Sequence, residues 1–214
     1  MKFEAVLFDM DGVLVDSEYT MASAAIAALS EWGASAVHED FVPYIGAGED
    51  KFVGCVAEKY GLKYELEMKD RAYEIYGEMI EKHSIAFPNV KKVFETLKKS
   101  GVKMAVCSSA DAVKVKYNLR SIGFDRDYFD AVLTGSDVKR KKPFPDIFLL
   151  AAKNVGAEPE NCIVVEDAVN GILAAHNANM ASFAVTTSFD RETLIEKTKP
   201  DYIGDDIIEL LDIM

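Results

Sequence analysis

The sequence has little cysteine. It holds three cysteines in 214 residues, and Cys55, Cys107 and Cys162 show neither paired spacing nor a C-x-x-C pattern. That excludes a disulfide framework and suits a reducing cytoplasm, the expected location. Cys107 and Cys162 lie in strand-like runs and read as small buried hydrophobes. No apolar stretch approaches about 20 residues, so no membrane span is expected. No basic segment followed by a long apolar run opens the chain, so a signal peptide is not expected either. Positive charge is also short, with 24 Lys+Arg against 36 Asp+Glu and a formal net charge of −12. Such a surface repels nucleic acid and anionic membranes, and neither is an expected partner. Small anionic substrates stay open, because a site's local field can oppose the global one. Internal repeats and low-complexity linkers are lacking. What remains is one domain of ordinary size, or a domain with a sizeable insertion, expected as a monomer or weak homodimer.

Half the residues are hydrophobic, enough for a packed core. Short apolar runs recur at residues 4–8, 102–107, 131–134, 162–165 and 182–186. Helical patterns separate the later ones. "PNVKKVFETLKKSG" places Val90, Val93, Phe94 and Leu97 at helical spacing between Pro88 and Gly101. "DAVKVKYNLRSIG" and "PDIFLLAAKNVG" repeat the plan, ending at Gly123 and Gly156. Alternating strand and helix implies an α/β fold, a Rossmann-like parallel sheet flanked by helices. Residues 16–87 break the alternation with three helical patterns, the first rich in alanine. A crossover needs only about a dozen residues, so this segment reads as an inserted α-helical subdomain, leaving 1–15 and 88–214 as the core.

Ligands of such sheets bind beyond the carboxyl ends of the strands, and carboxylates gather at those positions. "AVLFDMDGVLVDSE" runs from a buried strand straight into Asp9, Asp11 and Gly12. Two carboxylates so close at the mouth of a core strand repel each other and are costly to desolvate. The second strand is followed by Ser108 and Ser109, the third at a distance by "KRKKPFPD", and the fourth by Glu166 and Asp167. Carboxylates with water suit Mg²⁺, which binds through one or two carboxylates plus substrate phosphate. Hydroxyl and ammonium groups then supply donors to phosphate oxygens.

Each piece alone has a plainer reading. Asp-x-Asp-Gly is often a turn, the serines can cap a helix, the basic run can be a solvated face, and Glu166-Asp167 can favour a helix N-terminus. A calcium loop starting at Asp9 fails, because its fifth, sixth and twelfth positions would be Val13, Leu14 and Thr20. The convergence of all four on predicted strand ends is what gives them weight.

In this order and spacing, "FDMDGVLVDSE", "VCSSA", "KKPFPDIF" and "VVEDAVNGI" resemble the four motifs of the haloacid dehalogenase superfamily, in its branch of small-molecule phosphatases and β-phosphoglucomutase-like enzymes. The resemblance covers the whole chain and implies that residues 16–87 are a helical cap. It also implies that Asp9 is the nucleophile and Asp11 the general acid/base. Ser108 would be the phosphate-binding hydroxyl, with Ser109 beside it, and Lys142 the charge-neutralising lysine. Mg²⁺ would be held by Asp9, the backbone carbonyl of Asp11 and Asp167, with Glu166 helping to hold the metal or its waters. The activity implied is Mg²⁺-dependent hydrolysis of a small phosphorylated metabolite, such as a sugar phosphate, through an aspartyl phosphate.

The nearest alternative is a β-phosphoglucomutase-type phosphomutase. Its early-cap histidine is replaced here by Met21, and its cap-loop arginine falls on Glu49 of "YIGAGEDKF", reversing the sign. Lys51 is the candidate to restore some of that charge as a cap contact to substrate. A non-catalytic phospho-receiver module is a distant alternative, needing neither Asp11 nor a seventy-residue insertion. A dehalogenase would lack Asp11, and a serine hydrolase would need a G-x-S-x-G elbow. The Gly46-Ala47-Gly48 turn lacks the third glycine of a dinucleotide fingerprint and reads as an inter-helix loop. His38, His83 and His176 follow no strand end and read as surface or helix residues.

Overall fold

A computed structural model describes residues 2–45, 48–82 and 85–214. Gly46 and Ala47 of the glycine turn, and His83, lie outside the described residues. Six parallel strands form one sheet in the order β3-β2-β1-β4-β5-β6. They are β1 (Ala5–Phe8), β2 (Lys103–Cys107), β3 (Ala131–Leu133), β4 (Cys162–Glu166), β5 (Ala181–Val185) and β6 (Tyr202–Gly204). The five apolar runs of the sequence supply β1 to β5. β6 was not anticipated, being a half-buried three-residue edge strand whose side chains carry no readable period.

Side chains alternate across a strand, so each strand feeds two cores. Val6 and Phe8 join Met104, Val106, Ile163 and Val165 on one face, under α4 (Val90–Lys99) and α5 (Ala112–Ser121). Ala5 and Leu7 join Ala105, Cys107, Cys162 and Val164 on the other, under α6 (Asp146–Val155) and α7 (Val169–Asn177). Burial on both faces explains why these strands read as unbroken apolar runs instead of alternating ones. A further helix, α8 (Arg191–Thr198), links β5 to β6.

Between β1 and β2 the chain forms α1 (Glu18–Ser30), α2 (Glu49–Lys59) and α3 (Leu66–Ile80) around a separate apolar cluster that includes Leu29, Phe41, Val53, Val56 and Tyr76. Ala24, Ala25 and Ala28 are fully buried and let α1 lie close against its neighbours. The chain leaves and re-enters side by side. The Asp16 amide donates to the Ile85 carbonyl at 2.8 Å, and the Phe87 amide to that of Leu14 at 3.1 Å.

β1 lies in the middle of the sheet, with β2 on one side and β4 on the other. The strand order reverses between β1 and β4, so their carboxyl ends flank the crevice where ligands of such sheets bind.

Candidate active site

Asp9 is the first residue past β1, tied to β4 by its amide, which donates to the Val165 carbonyl at 2.9 Å. Its carboxylate receives the ammonium of Lys142, a residue of the loop before α6. Lys142 also donates to Glu166 Oε1 at 2.7 Å and to the Cys107 carbonyl at 3.0 Å. Glu166, the last residue of β4, uses Oε2 to accept from the amides of Asp167 and Ala168, each at 2.9 Å. Both of its oxygens are therefore engaged within the protein. It buttresses Lys142 and the start of α7, and can act on a metal through its charge or through a water. Gly171 makes room for it, since a Cβ there would stand 1.7 Å from Glu166 Oε1.

Asp11 has its own set of partners. Three donors meet on a single oxygen, Oδ1: the Ser17 hydroxyl, Asn118 Nδ2 at 3.2 Å and Lys114 Nζ at 2.9 Å. Burial raises the carboxyl, but Lys114, Ser17 and Asn118 together outweigh it and hold Asp11 below the ordinary carboxylate range. The two aspartates are thus pushed apart. Asp9 is raised to about 7 by burial and by the nearby Glu166 and Asp11 charges, against the opposing pull of Lys142.

The same helix, α5, receives the inserted helices. Lys114 reaches Glu49 Oε1 at 3.3 Å, and Asn118 Oδ1 accepts from the buried Tyr76 hydroxyl. Asp111, just before α5, accepts from Lys69 at 2.9 Å and from Tyr73 at 3.0 Å. Glu49, Lys69, Tyr73 and Tyr76 all belong to α2 and α3, so the insertion contacts Asp11 through the side chains of α5.

Asp167 is raised well above its usual range by burial and by the charges of Glu166 and Asp9. It lies against the loop after β1, where Gly12 (φ +84°) leaves a gap whose Cβ would stand 1.9 Å from Asp167 Oδ2. This fits a hard divalent cation. Asp9 and Asp167 are two buried carboxylates with too little positive charge between them, beside the backbone at Asp11 and Gly12. Among the described residues no ready cluster of three His, Cys, Asp or Glu side chains is arranged to hold a metal. Mg²⁺ does not require one, since it keeps several waters and takes one or two carboxylates.

These groups open onto a cleft of about 280 Å³. Asp9, Asp11, Ser109, Lys142, Glu166 and Asp167 line it from the core, with Met21, Tyr44 and Phe52 facing them from the insertion. Ser108 lies beneath, 1% exposed, and its Oγ accepts from the Ala110 amide at 3.1 Å. Lys51 is not brought to the cleft. It is exposed on α2, and at about 100° per residue it points away from the side on which Glu49 reaches inward. Sequence reasoning missed Lys114, Asn118 and Ser188. The signal for the first pair was Lys114 and Asn118 at i and i+4, one face of a helix that starts just after a strand end. Ser188, beyond β5, hydrogen-bonds Asp167. His38 stacks on Tyr19, and His176 hydrogen-bonds Ser182; neither lines the cleft.

A paired-aspartate site at the switch point of a Rossmann-like sheet, faced by an inserted helical layer, defines a class of α/β hydrolases. The chain belongs to the haloacid dehalogenase-like hydrolases, whose family model matches residues 3–179. It is 31% identical over 222 residues to a phosphoglycolate phosphatase of Pasteurella multocida, covering 100% of this chain and 99% of that one. It is 41% identical over 219 residues to the chloroplastic protein SUPPRESSOR OF QUENCHING 1 of Arabidopsis thaliana, covering 100% of this chain but only 21% of that protein. The crystal structure of a predicted phosphoglycolate phosphatase from Haemophilus somnus superposes with a TM-score of 0.85 at 28% identity, covering 100% of this chain and 98% of that one.

Proposed function

We propose that this hydrolase is a Mg²⁺-dependent phosphatase of a small phosphorylated metabolite, a sugar phosphate being the favoured kind, with residues 16–87 acting as its cap. The observation that carries the reading is the pair of aspartates with separate partners. Asp9 is held by a buried lysine, and Asp11 by a lysine, an amide and a hydroxyl, both on one 280 Å³ cleft. Asp9 attacks phosphorus in line, forming an aspartyl phosphate as the bond to the leaving oxygen breaks. Lys142 offsets charge on the phosphoryl oxygens, and the Ser108 hydroxyl proton and Ser109 serve the same group. The proton that the leaving oxygen needs passes through Asp11, which enters that step as the acid and leaves it as the carboxylate that takes a proton from the attacking water. The pairing with Lys114 favours the ionised form needed for that second role. Mg²⁺, held by Asp9, Asp167 and the Asp11 carbonyl, would supply further charge neutralisation at the phosphoryl group. The cap excludes bulk water during transfer.

A mutase reading needs a second cationic phosphate site in the cap. The matching position carries Glu49, already engaged with Lys114, which speaks for transfer to water. The experiment is phosphate release from a panel of phosphorylated metabolites by metal-stripped and Mg²⁺-loaded protein, with Asp9→Asn alongside. Activity is expected only with Mg²⁺, and the variant is expected to form no phosphoenzyme. Full turnover in chelator would remove the metal, and near-normal turnover by Asp9→Asn would remove the nucleophile. Efficient interconversion of β-glucose 1-phosphate and glucose 6-phosphate with little free phosphate would restore the mutase.

A further inference from the structure

The cleft carries an imbalance of charge that bears on its substrate. Six carboxylates line it, the four described above together with Glu18 and Glu49, against the three lysines Lys114, Lys141 and Lys142. Two of the lysines are committed. Lys142 is held between Asp9 and Glu166, and Lys114, only 6% exposed, lies between Asp11 at 2.9 Å and Glu49 at 3.3 Å. Lys141 is at the exposed rim, its ammonium 3.3 Å from the Ser109 carbonyl, where water and salt screen it. In the phosphatase reading, Asp9, Lys142 and Asp167 surround the transferred phosphoryl group. The inserted segment contributes Glu18, Glu49 and the side chains of Met21, Tyr44, Ile45 and Phe52 to the lining, and on that reading this is the side left for the leaving group.

A divalent cation at Asp9 and Asp167 offsets two of the surplus negative charges, and the phosphoryl group of the substrate adds about two more. Among the described residues that line the cleft, no uncommitted buried cation is then left to meet another anion. A carboxylate or second phosphate there would face Glu18 and Glu49 in a partly desolvated space, where like charges repel strongly. It could capture Lys114 only by displacing Glu49 or Asp11.

We infer that Glu18 and Glu49 are specificity-determining residues that select a phosphate monoester whose alcohol part is uncharged or cationic, and reject one that carries a second anion. The inference rests on the phosphatase reading above and narrows it. It also separates this chain from the phosphoglycolate substrate in the names of its relatives, because that substrate's leaving group ends in a carboxylate.

The test uses three substrates matched in size, 2-hydroxyethyl phosphate, O-phosphoethanolamine and phosphoglycolate, with p-nitrophenyl phosphate as a general probe, all with Mg²⁺-loaded enzyme. The hydroxyl and ammonium compounds are expected to exceed phosphoglycolate at least ten-fold in kcat/KM. Glu49→Gln and Glu18→Gln are expected to narrow that ratio several-fold, mainly by lowering the KM for phosphoglycolate. Preference for phosphoglycolate, or a ratio unmoved by both substitutions, would overturn the inference. Binding is measured in parallel with non-hydrolysable phosphonates of the same three charges, by calorimetry. If none of the four esters is turned over, the phosphatase reading fails. The order of the three phosphonate affinities then still decides the charge selection, and tighter binding of the carboxylate form would overturn it.

Discussion

Replacing Lys142 by alanine tests the centre of the site in two independent ways. Its ammonium contacts Asp9, Glu166 and the Cys107 carbonyl in a position 8% exposed at the side chain. Without it Asp9, Glu166 and Asp167 would share one buried space with no lysine between them. Breaking a buried ion pair by removing one partner costs about 3–5 kcal/mol. For a chain of this size each kcal/mol lowers Tm by about 2–4 °C, so a fall of about 6–20 °C is expected by circular dichroism. The deficit depends on pH in a definite direction. A carboxyl raised by folding contributes stability below its unfolded pKa, and loses it as pH rises through the folded value. Asp9 stands at about 7 even with Lys142 present, and higher without it. The Asp9 contribution therefore stops falling above about 7 in the wild type and goes on falling in the variant, so the gap should be wider at pH 8 than at pH 6. Saturating Mg²⁺ should narrow it. If Lys142 faces the phosphoryl oxygens as proposed, losing that one preorganised charge is worth about 10²–10³ in kcat. A Tm within about 2 °C of wild type at both pH values, or kcat within ten-fold, would refute the reasoning.

Tyr76→Phe removes the hydroxyl that reaches Asn118 from the insertion. If Asn118 aligns Asp11, kcat should fall several-fold for alkyl phosphates and far less for p-nitrophenyl phosphate, whose leaving group needs little protonation; equal losses on both would deny the link. Gly171→Ala would gain about 1 kcal/mol from helix propensity alone. Because its Cβ meets Glu166 at 1.7 Å, the expected result in urea unfolding is a net loss of stability, with reduced turnover. Asp40 is held near 2 by hydrogen bonds from Lys59, the Val37 amide and the Tyr60 hydroxyl. Its contribution is present above the ordinary carboxylate range and lost as pH falls from about 4 towards 2. Asp40→Asn should therefore flatten acid unfolding over that window, and an unchanged profile would count against the assignment.

Much of this architecture was legible because its determinants are local. The apolar run 4–8, the Pro88 and Gly101 boundaries of α4, and carboxylates directly after strands all need only neighbouring residues for their meaning. Glu166 and Asp167 could be placed together with Asp9 because parallel strands bring their carboxyl ends to one edge. Lys114 and Asn118 carried only a weak signal, for the opposite reason. On an amphipathic helix they occupy what looks like the solvated face, and only the packing of α3 and α2 over that face makes it interior. Lys51 lies out of phase with the cleft, since Glu49 and Lys51 cannot both face inward from the same helix. β6 failed through length: three residues are too few for a pattern.

The central place of β1 has a consequence for how the chain is made. Ala5 pairs with Lys103 on one side and with Cys162 on the other, so this strand leaves the ribosome roughly 100 and 160 residues ahead of its partners. At about 5–20 residues per second, it waits on the order of ten seconds or more with four fully buried-type side chains unpaired. The helices of 16–87 have their own apolar cluster and can condense meanwhile, whereas the strand that leads into Asp9 cannot. Pairing of such distant segments is slow, and exposed strand edges invite self-association. Asp9 at the end of that strand is thus seated among the last, and ribosome-bound chains stalled before β4 should be the species that chaperones hold.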